Sequence, residues 1–149
     1  MPISVNFQYK KFNNLSLKEI HDLFLLRSKV FVVEQNCIYQ DIDGKDEKAE
    51  HVLGRNNKNI IAYARILKDN TPNYISIGRI LVSKNERGNS LGKKLLQFTL
   101  QKIQEKDPNM PIKISAQAHL ERFYNKQGFK KKSDIYMEDG IPHISMTLE

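Results

Sequence analysis

The sequence predicts an α+β fold: one domain, spanning residues 1–149, built on a mostly antiparallel sheet with helices packed against it. Three observations carry this. Apolar runs at 51–55, 60–68 and 74–82, separated by asparagine-rich turns, read as an antiparallel meander. A glycine-bearing loop from Arg87 to Gly92 and a helical pattern from Lys93 to Lys106 then lead into another apolar run, Ile112 to Ala116. A helical crossover of that kind can set the later run parallel to the earlier one. Apolar–polar alternation over Ile3 to Tyr9 and His143 to Leu148 marks half-buried strands near both ends of the chain.

The first alternating run places Ile3, Val5, Phe7 and Tyr9 on one face. After a polar turn, Ser16 and Glu19 form a capping box, in which the serine hydroxyl and the glutamate carboxylate satisfy each other's otherwise free N–H groups. Leu17, Ile20, Leu23, Phe24, Arg27 and Phe31 follow at helical spacing, and the helix is expected to end near Val30, because Val30-Phe31-Val32-Val33 is poor helix material. Residues 34–50 are polar and irregular. Asp41, Asp43, Asp46 and Glu47 there are read as a solvated acidic loop or as an attractor for an amine; a calcium loop is excluded by ligand spacing. Cys37 lies among apolar neighbours and reads as a small buried hydrophobe. Asn56 to Asn59 turns a hairpin, and Asp69 to Asn73 makes a second turn. Leu91, Leu95, Leu96, Thr99, Leu100 and Ile103 form one apolar helical stripe. His119 to Gln127 reads as a second amphipathic helix closed by Gly128, and Asp139 to Pro142 as a turn before the last strand.

Composition narrows the functional classes. With 40% hydrophobic and 28% charged residues, the chain is of ordinary globular type. No apolar run approaches the roughly 20 residues needed to cross a bilayer, and no charged segment followed by an apolar run opens the chain, so neither a membrane nor a secretory leader is expected. One cysteine excludes an internal disulfide and a multi-cysteine zinc site, no histidine pair has metal-ligand spacing, and a cytoplasmic setting follows by default. The net charge of +7 suits an anionic ligand. The lysines are scattered and no nucleic-acid motif is visible, so nucleic acid is not the expected partner.

A strand, a glycine-bearing loop and a helix in succession bring backbone N–H groups and a helix N-terminus around a phosphate. Gly88 and Gly92 stand too close together for a nucleoside-triphosphate loop, and Lys93 is followed by Lys94 rather than a hydroxyl residue. The dinucleotide fingerprint needs a different glycine spacing, at the first turn of a doubly wound sheet. What remains is an anion site or a plain helix start.

The residues downstream decide. With Arg87, Leu91 and Gly92 in the loop, and Tyr124 followed by Gly128-Phe129, the chain resembles the GNAT family of acetyl-CoA-dependent N-acetyltransferases. Further matches resemble its ElaA-like branch: Leu26-Arg27, Val30 to Gln35, Tyr39 to Asp43, Ser115 to Leu120 and Glu138 to His143. The resemblance covers nearly the whole chain. It implies a mixed, mostly antiparallel sheet flanked by helices, with parallel fourth and fifth strands that splay apart to admit the pantetheine arm of coenzyme A. Ser90 stands where the family usually has glycine, so the backbone there is expected not to need a glycine-only angle.

The same resemblance implies the site. Arg87, Gly88, Asn89, Ser90, Leu91, Gly92 and Lys93 would hold the pyrophosphate, with Arg87 and Lys93 adding positive charge. The main chain of Ile80, Leu81 and Val82 would pair with pantetheine, and Gln117 would lie beside it. Tyr124 would protonate the departing thiolate, a role open to a phenol because it keeps its proton at neutral pH. His119, at a strand–helix junction, is the leading candidate for the base that deprotonates the amine, with Glu34 and His143 as alternatives or as acceptor-binding groups. The implied co-substrate is acetyl-CoA, with no metal. The acceptor is a small-molecule, peptide or protein amine, and a homodimer is left open. An acyl-CoA sensor without turnover is the alternative reading.

Overall fold

The structure is a computed structural model, and the residues described are 4–68 and 74–149. The expected strand start at Ile3 and the turn from Asp69 to Asn73 lie outside them. The strands are β1 (Asn6–Lys11), β2 (Glu50–Arg55), β3 (Ile60–Lys68), β4 (Ile75–Val82), β5 (Ile112–Gln117), β6 (Lys130–Lys131), β7 (Tyr136–Glu138) and β8 (Ile141–Leu148), and the α-helices are α1 (Leu17–Arg27), α2 (Leu91–Lys106) and α3 (Glu121–Lys126). The strands form one sheet in the order β1-β2-β3-β4-β5-β8-β6, with β7 also paired to β8. Among the described residues only β4 and β5 run parallel. This is the mixed, mostly antiparallel sheet with parallel fourth and fifth strands that the sequence led one to expect.

Alternation along the strands splits the core into two faces. Leu53, Tyr63 and Leu81 meet Leu23, Leu26 and Val30 from the α1 side. Val52, Ala62, Ala64, Ile77, Ile114 and Ala116 meet Leu91, Leu95, Leu96 and Tyr124 on the other. The capping box that opens α1 is formed: the Glu19 N–H donates to Ser16 Oγ at 3.0 Å and the Ser16 N–H to Glu19 Oε1 at 2.9 Å. The hairpin between β2 and β3 is closed by Asn56, whose Oδ1 accepts from the N–H groups of Lys58 and Asn59.

Two expectations about helices change. The helical backbone does not stop near Val30. It continues through Ser28–Glu34 as a wider π-type coil, and the N–H of Cys37 still reaches five residues back to the Val32 carbonyl. The β-branched run loosens the helix instead of ending it. The stretch from His119 to Gln127 is not one helix: Ala118–Leu120 makes a tighter 3₁₀ turn before α3 begins. At its other end α3 closes as expected. Gly128 has φ +99°, its N–H bonds to the Asn125 carbonyl, and the Phe129 N–H reaches the Tyr124 carbonyl.

Candidate active site

β4 and β5 are paired only at Ile75–Ile112 and Ser76–Lys113. Beyond those pairs the strands separate, leaving a slot flanked by Ile77–Val82 on one side and Ile114–Gln117 on the other. A bulge helps to open it. Between the pairs Tyr63–Leu81 and Arg65–Gly78, β4 carries one residue more than β3, and Arg79 takes the left-handed conformation, φ +50°. Ile80, Leu81 and Val82 thus flank the slot. The Val82 carbonyl is already engaged, because it accepts from Arg87 Nε at 3.0 Å.

The loop after β4 leads straight into α2. The first α2 bond runs from the Lys94 N–H to the Ser90 carbonyl, and among the described residues the main-chain N–H groups from Gly88 through Lys93 make no hydrogen bond. Those donors, with the positive end of a 16-residue helix, make a cradle for an anion. Gly88, at φ +91°, needs to be glycine, whereas a Cβ at Gly92 would meet Phe123 and Val82 at ordinary contact distances of 3.8 and 3.9 Å.

Ser90 corrects an expectation. It sits at φ +59°, ψ +19°, in the left-handed region that glycine favours, and its side chain makes no cap bond. A residue with a Cβ enters that region at a cost of about 1–2 kcal/mol. The loop carries the strain of a serine in that region.

Arg87 and Glu34 also differ from expectation. The two guanidinium nitrogens of Arg87 donate to the Glu34 carboxylate at 2.5 and 3.0 Å. The arginine charge is therefore balanced by a carboxylate from the end of the π-type coil, and Glu34 is a clamp on the loop, not a free base. Lys93 is exposed at the loop and remains available to an anion.

Tyr124 lies on the α2 side of the sheet, 5% exposed, with its ring edge-on to Phe123 at 5.1 Å and to Phe129 at 5.9 Å. Burial pushes its phenol up to about 12, so the hydroxyl is protonated across the neutral range. Phe123, whose ring a Cβ at Gly92 would meet, links the loop to the helix that carries Tyr124. His119 stands exposed on the 3₁₀ turn, and among the described residues no side chain fixes it. Gln117 ends β5 half-buried, its Nε2 3.4 Å from Gln35 Oε1.

His143 is held differently. It is 7% exposed, pairs across β5 with Gln117, and Nδ1 donates to the Ile141 carbonyl at 2.7 Å. Its Nε2 lies 3.4 Å from Glu138 Oε2. Sequence reading did not find its companions. Glu138 Oε1 accepts from Ser115 Oγ at 3.1 Å, Ser115 Oγ bonds the Tyr136 hydroxyl, and the Tyr136 ring stacks against His143 at 6.3 Å. They come from three strands, and the only local trace was a polar residue at every second position of β5 and β7.

The acidic loop is the largest correction. Asp41, Asp43 and Asp46 do not face solvent as an amine trap. Arg27, fully buried, donates to Asp41 and Asp46; Arg65 to Asp43 and Asp46; Arg79 to Asp41 and Asp43. Three arginines neutralise three aspartates. Burial works against the Asp43 carboxylate, but the hydrogen bonds from Arg65 outweigh it and hold Asp43 well below its ordinary value. His51, expected at a strand end, is wholly buried beside this network. Its Nε2 donates to the Asp46 carbonyl at 3.0 Å, so Nδ1 accepts from the Tyr63 hydroxyl, and desolvation pushes the imidazole down from its usual range. Cys37 is buried as expected and its thiol donates to the Asp139 carbonyl at 3.1 Å. Among the described residues no group of His, Cys, Asp or Glu could hold a metal, and no helix is long and apolar enough to cross a membrane.

Comparison with known proteins agrees with this geometry. The model of the acetyltransferase (GNAT) domain matches residues 15–149. Protein ElaA of Escherichia coli K12 is 44% identical over 148 residues, 97% of each chain. The crystal structure of E. coli ElaA superposes with a TM-score of 0.94 at 42% identity, covering 98% of this chain and 100% of that one. An acyl-CoA N-acyltransferase from Pseudomonas aeruginosa superposes with a TM-score of 0.92 at 37% identity, with the same coverage. A GNAT acetyltransferase from Elizabethkingia anophelis, solved with acetyl-CoA bound, shares the fold at a TM-score of 0.66 and 17% identity, covering 97% of each chain. The chain belongs to the GNAT acetyltransferase family, in its ElaA-like branch.

Proposed function

We propose that this protein is an acetyl-CoA-dependent N-acetyltransferase that acylates a primary amine by direct attack, with no covalent enzyme intermediate. The observation that carries the reading is the parting of β4 from β5, together with the unbonded amides from Gly88 through Lys93 and the buried Tyr124 phenol. The pyrophosphate fits the amide cradle, and Ile80 and Leu81 offer the edge of β4 to the pantetheine arm, as a sheet edge accepts an added strand. The acyl-CoA named for the P. aeruginosa relative and the acetyl-CoA bound in the E. anophelis protein are the ligands this slot suits.

The chain's own groups then have defined roles. The loop amides and Lys93 orient and neutralise the diphosphate. Tyr124, protonated at neutral pH, hydrogen-bonds the sulfur as charge develops there and supplies its proton. Phe123 and Phe129 keep water from that proton. A reduced, cytoplasmic setting suits both the thiol product and the single Cys37.

Calorimetry with acetyl-CoA, followed by thiol release with a panel of primary amines, tests the proposal. The wild type should bind acetyl-CoA with one-to-one stoichiometry and release thiol only when an amine is present. Gly92→Asp should weaken binding at least tenfold, because a carboxylate on the first turn repels the diphosphate while the site has room for a Cβ. Tyr124→Phe should lower kcat by about 100-fold with the acetyl-CoA Kd unchanged. Binding without any amine-dependent turnover would make the protein an acyl-CoA sensor instead.

A further inference from the structure

The transferase reading leaves open where the amine sits and what takes its proton. Building on that reading, we infer that Glu138 and His143 form the seat of the acceptor ammonium, with His143 Nε2 as the proton acceptor.

The argument begins with the two faces of β5. Ile112, Ile114 and Ala116 point into the core that holds Tyr124. Ser115 and Gln117, on alternate positions, point to the opposite face, where β8 sets His143 across from Gln117 and β7 sets Tyr136 beside His143. The slot between β4 and β5 connects the two faces. A thioester carbonyl held in it is open to the phenol from one face and to the His143 cluster from the other. General acid and general base must approach a reacting carbonyl from different directions, and the strand alternation supplies that separation.

The cluster is built, not incidental. Glu138 has its two oxygens oriented separately, Oε1 by Ser115 Oγ at 3.1 Å and Oε2 toward His143 Nε2 at 3.4 Å, yet its side chain is 48% exposed. It faces solvent as an aimed carboxylate. His143 has its tautomer fixed, because Nδ1 donates to the Ile141 carbonyl at 2.7 Å. In the neutral ring, Nε2 therefore presents a lone pair toward a carboxylate oxygen. Two acceptors facing each other need a proton donor between them. A primary ammonium has the right charge and enough hydrogens to donate to both. The titratable and polar groups facing the ring are Glu138 and Tyr136 from β7 and Ser115 and Gln117 from β5.

The step balances as follows. The ammonium gives one proton to His143 Nε2 and becomes a neutral amine. Its nitrogen attacks the thioester carbonyl carbon, forming the C–N bond. The tetrahedral adduct collapses with cleavage of the C–S bond, and the sulfur takes the Tyr124 proton. The second nitrogen proton of the adduct returns to the Tyr124 oxygen through solvent, and the proton on His143 leaves to bulk water. Amide, thiol and one proton are the products. His119 has no part in this scheme, and the carboxylate of Glu34 stays with Arg87.

The test uses the intact protein, acetyl-CoA and a panel of primary amines: an alkylamine, an arylalkylamine and a short peptide with a free N-terminus. His143→Gln should bind acetyl-CoA as the wild type does and lose at least about 100-fold in kcat/KM for the amine, with the acidic limb of its pH profile abolished. Glu138→Gln should raise the amine KM about tenfold with a smaller change in kcat. If His143→Gln fails to bind acetyl-CoA, its fold is lost and the exposed Glu138→Gln variant decides alone. A wild type that neither binds acetyl-CoA nor turns over any amine overturns the transferase reading. A wild type that turns over an amine while both variants match it in kcat/KM overturns this assignment and leaves that reading standing.

Discussion

Two regions of this molecule concentrate polar side chains, and they are put together on opposite plans. Under the segment from Cys37 to Lys48, three aspartates meet three arginines and a histidine, nearly all out of reach of solvent, with the charges balanced. On the far side of β5, Ser115, Tyr136, Glu138 and His143 are linked by fewer bonds and one carboxylate is left half in water. The first arrangement is closed off and charge-balanced, with Arg65 Nε its one buried donor left unpaired among the described residues; the second is oriented but incomplete. A dense cluster of charge marks a structural joint when its charges cancel out of reach of solvent, and a candidate site when one group is aimed and open to solvent.

The contrast can be broken by experiment. The largest effect is expected in the closed region: Arg27→Ala leaves Asp41 and Asp46 buried without their partner and should cost about 3–5 kcal/mol in denaturant unfolding. A loss under about 1 kcal/mol would mean that the network is not the joint described. The next expected effect is on pH dependence. The folded state holds His51 below its ordinary 6.5 and Asp43 below its ordinary 3.8. The unfolded chain therefore binds more protons as pH falls. The stability is present above about pH 6.5 and is lost progressively below it, first through His51 and, under about pH 4, through Asp43. The unfolding midpoint should be lower at pH 5.0 than at pH 7.5; an unchanged midpoint would remove the linkage. The smallest effect belongs to the open region. Glu138→Ala should change stability by about 0.5 kcal/mol or less, because its side chain is half exposed. If it costs as much as Arg27→Ala, the two regions are not different in kind.

Most of the sheet was legible in the sequence because its signals are local. The run from Ile60 to Lys68 is β3 residue for residue, and the asparagine turn before it closes as its chemistry suggests. The π-type coil was not legible, since apolar spacing near three to four residues does not separate a regular helix from one locally widened. The aspartate network was misread because its partners are remote. Arg27 lies on an apolar helical stripe and Arg65 and Arg79 lie within apolar strands. Three arginines at positions that should be buried were the available signal, and a loop with three aspartates was its complement. The Ser115–Tyr136–Glu138–His143 cluster is assembled by register between β5, β7 and β8, which no single stretch of sequence encodes. For the cofactor loop, family resemblance located the backbone, but the left-handed angle at Ser90 became visible only in three dimensions.

The contacts of residues 37–46 set a limit on how this part of the molecule can move. This segment is tied at one end by the Cys37 thiol to the Asp139 carbonyl and at the other by three carboxylates to arginines of α1, β3 and β4. Lifting it as a lid would strand Arg27 in the interior without a counter-ion, at a cost comparable to unfolding the domain. This segment is therefore a fixed wall of the domain, and any opening beside it is a standing one rather than one made by its swing.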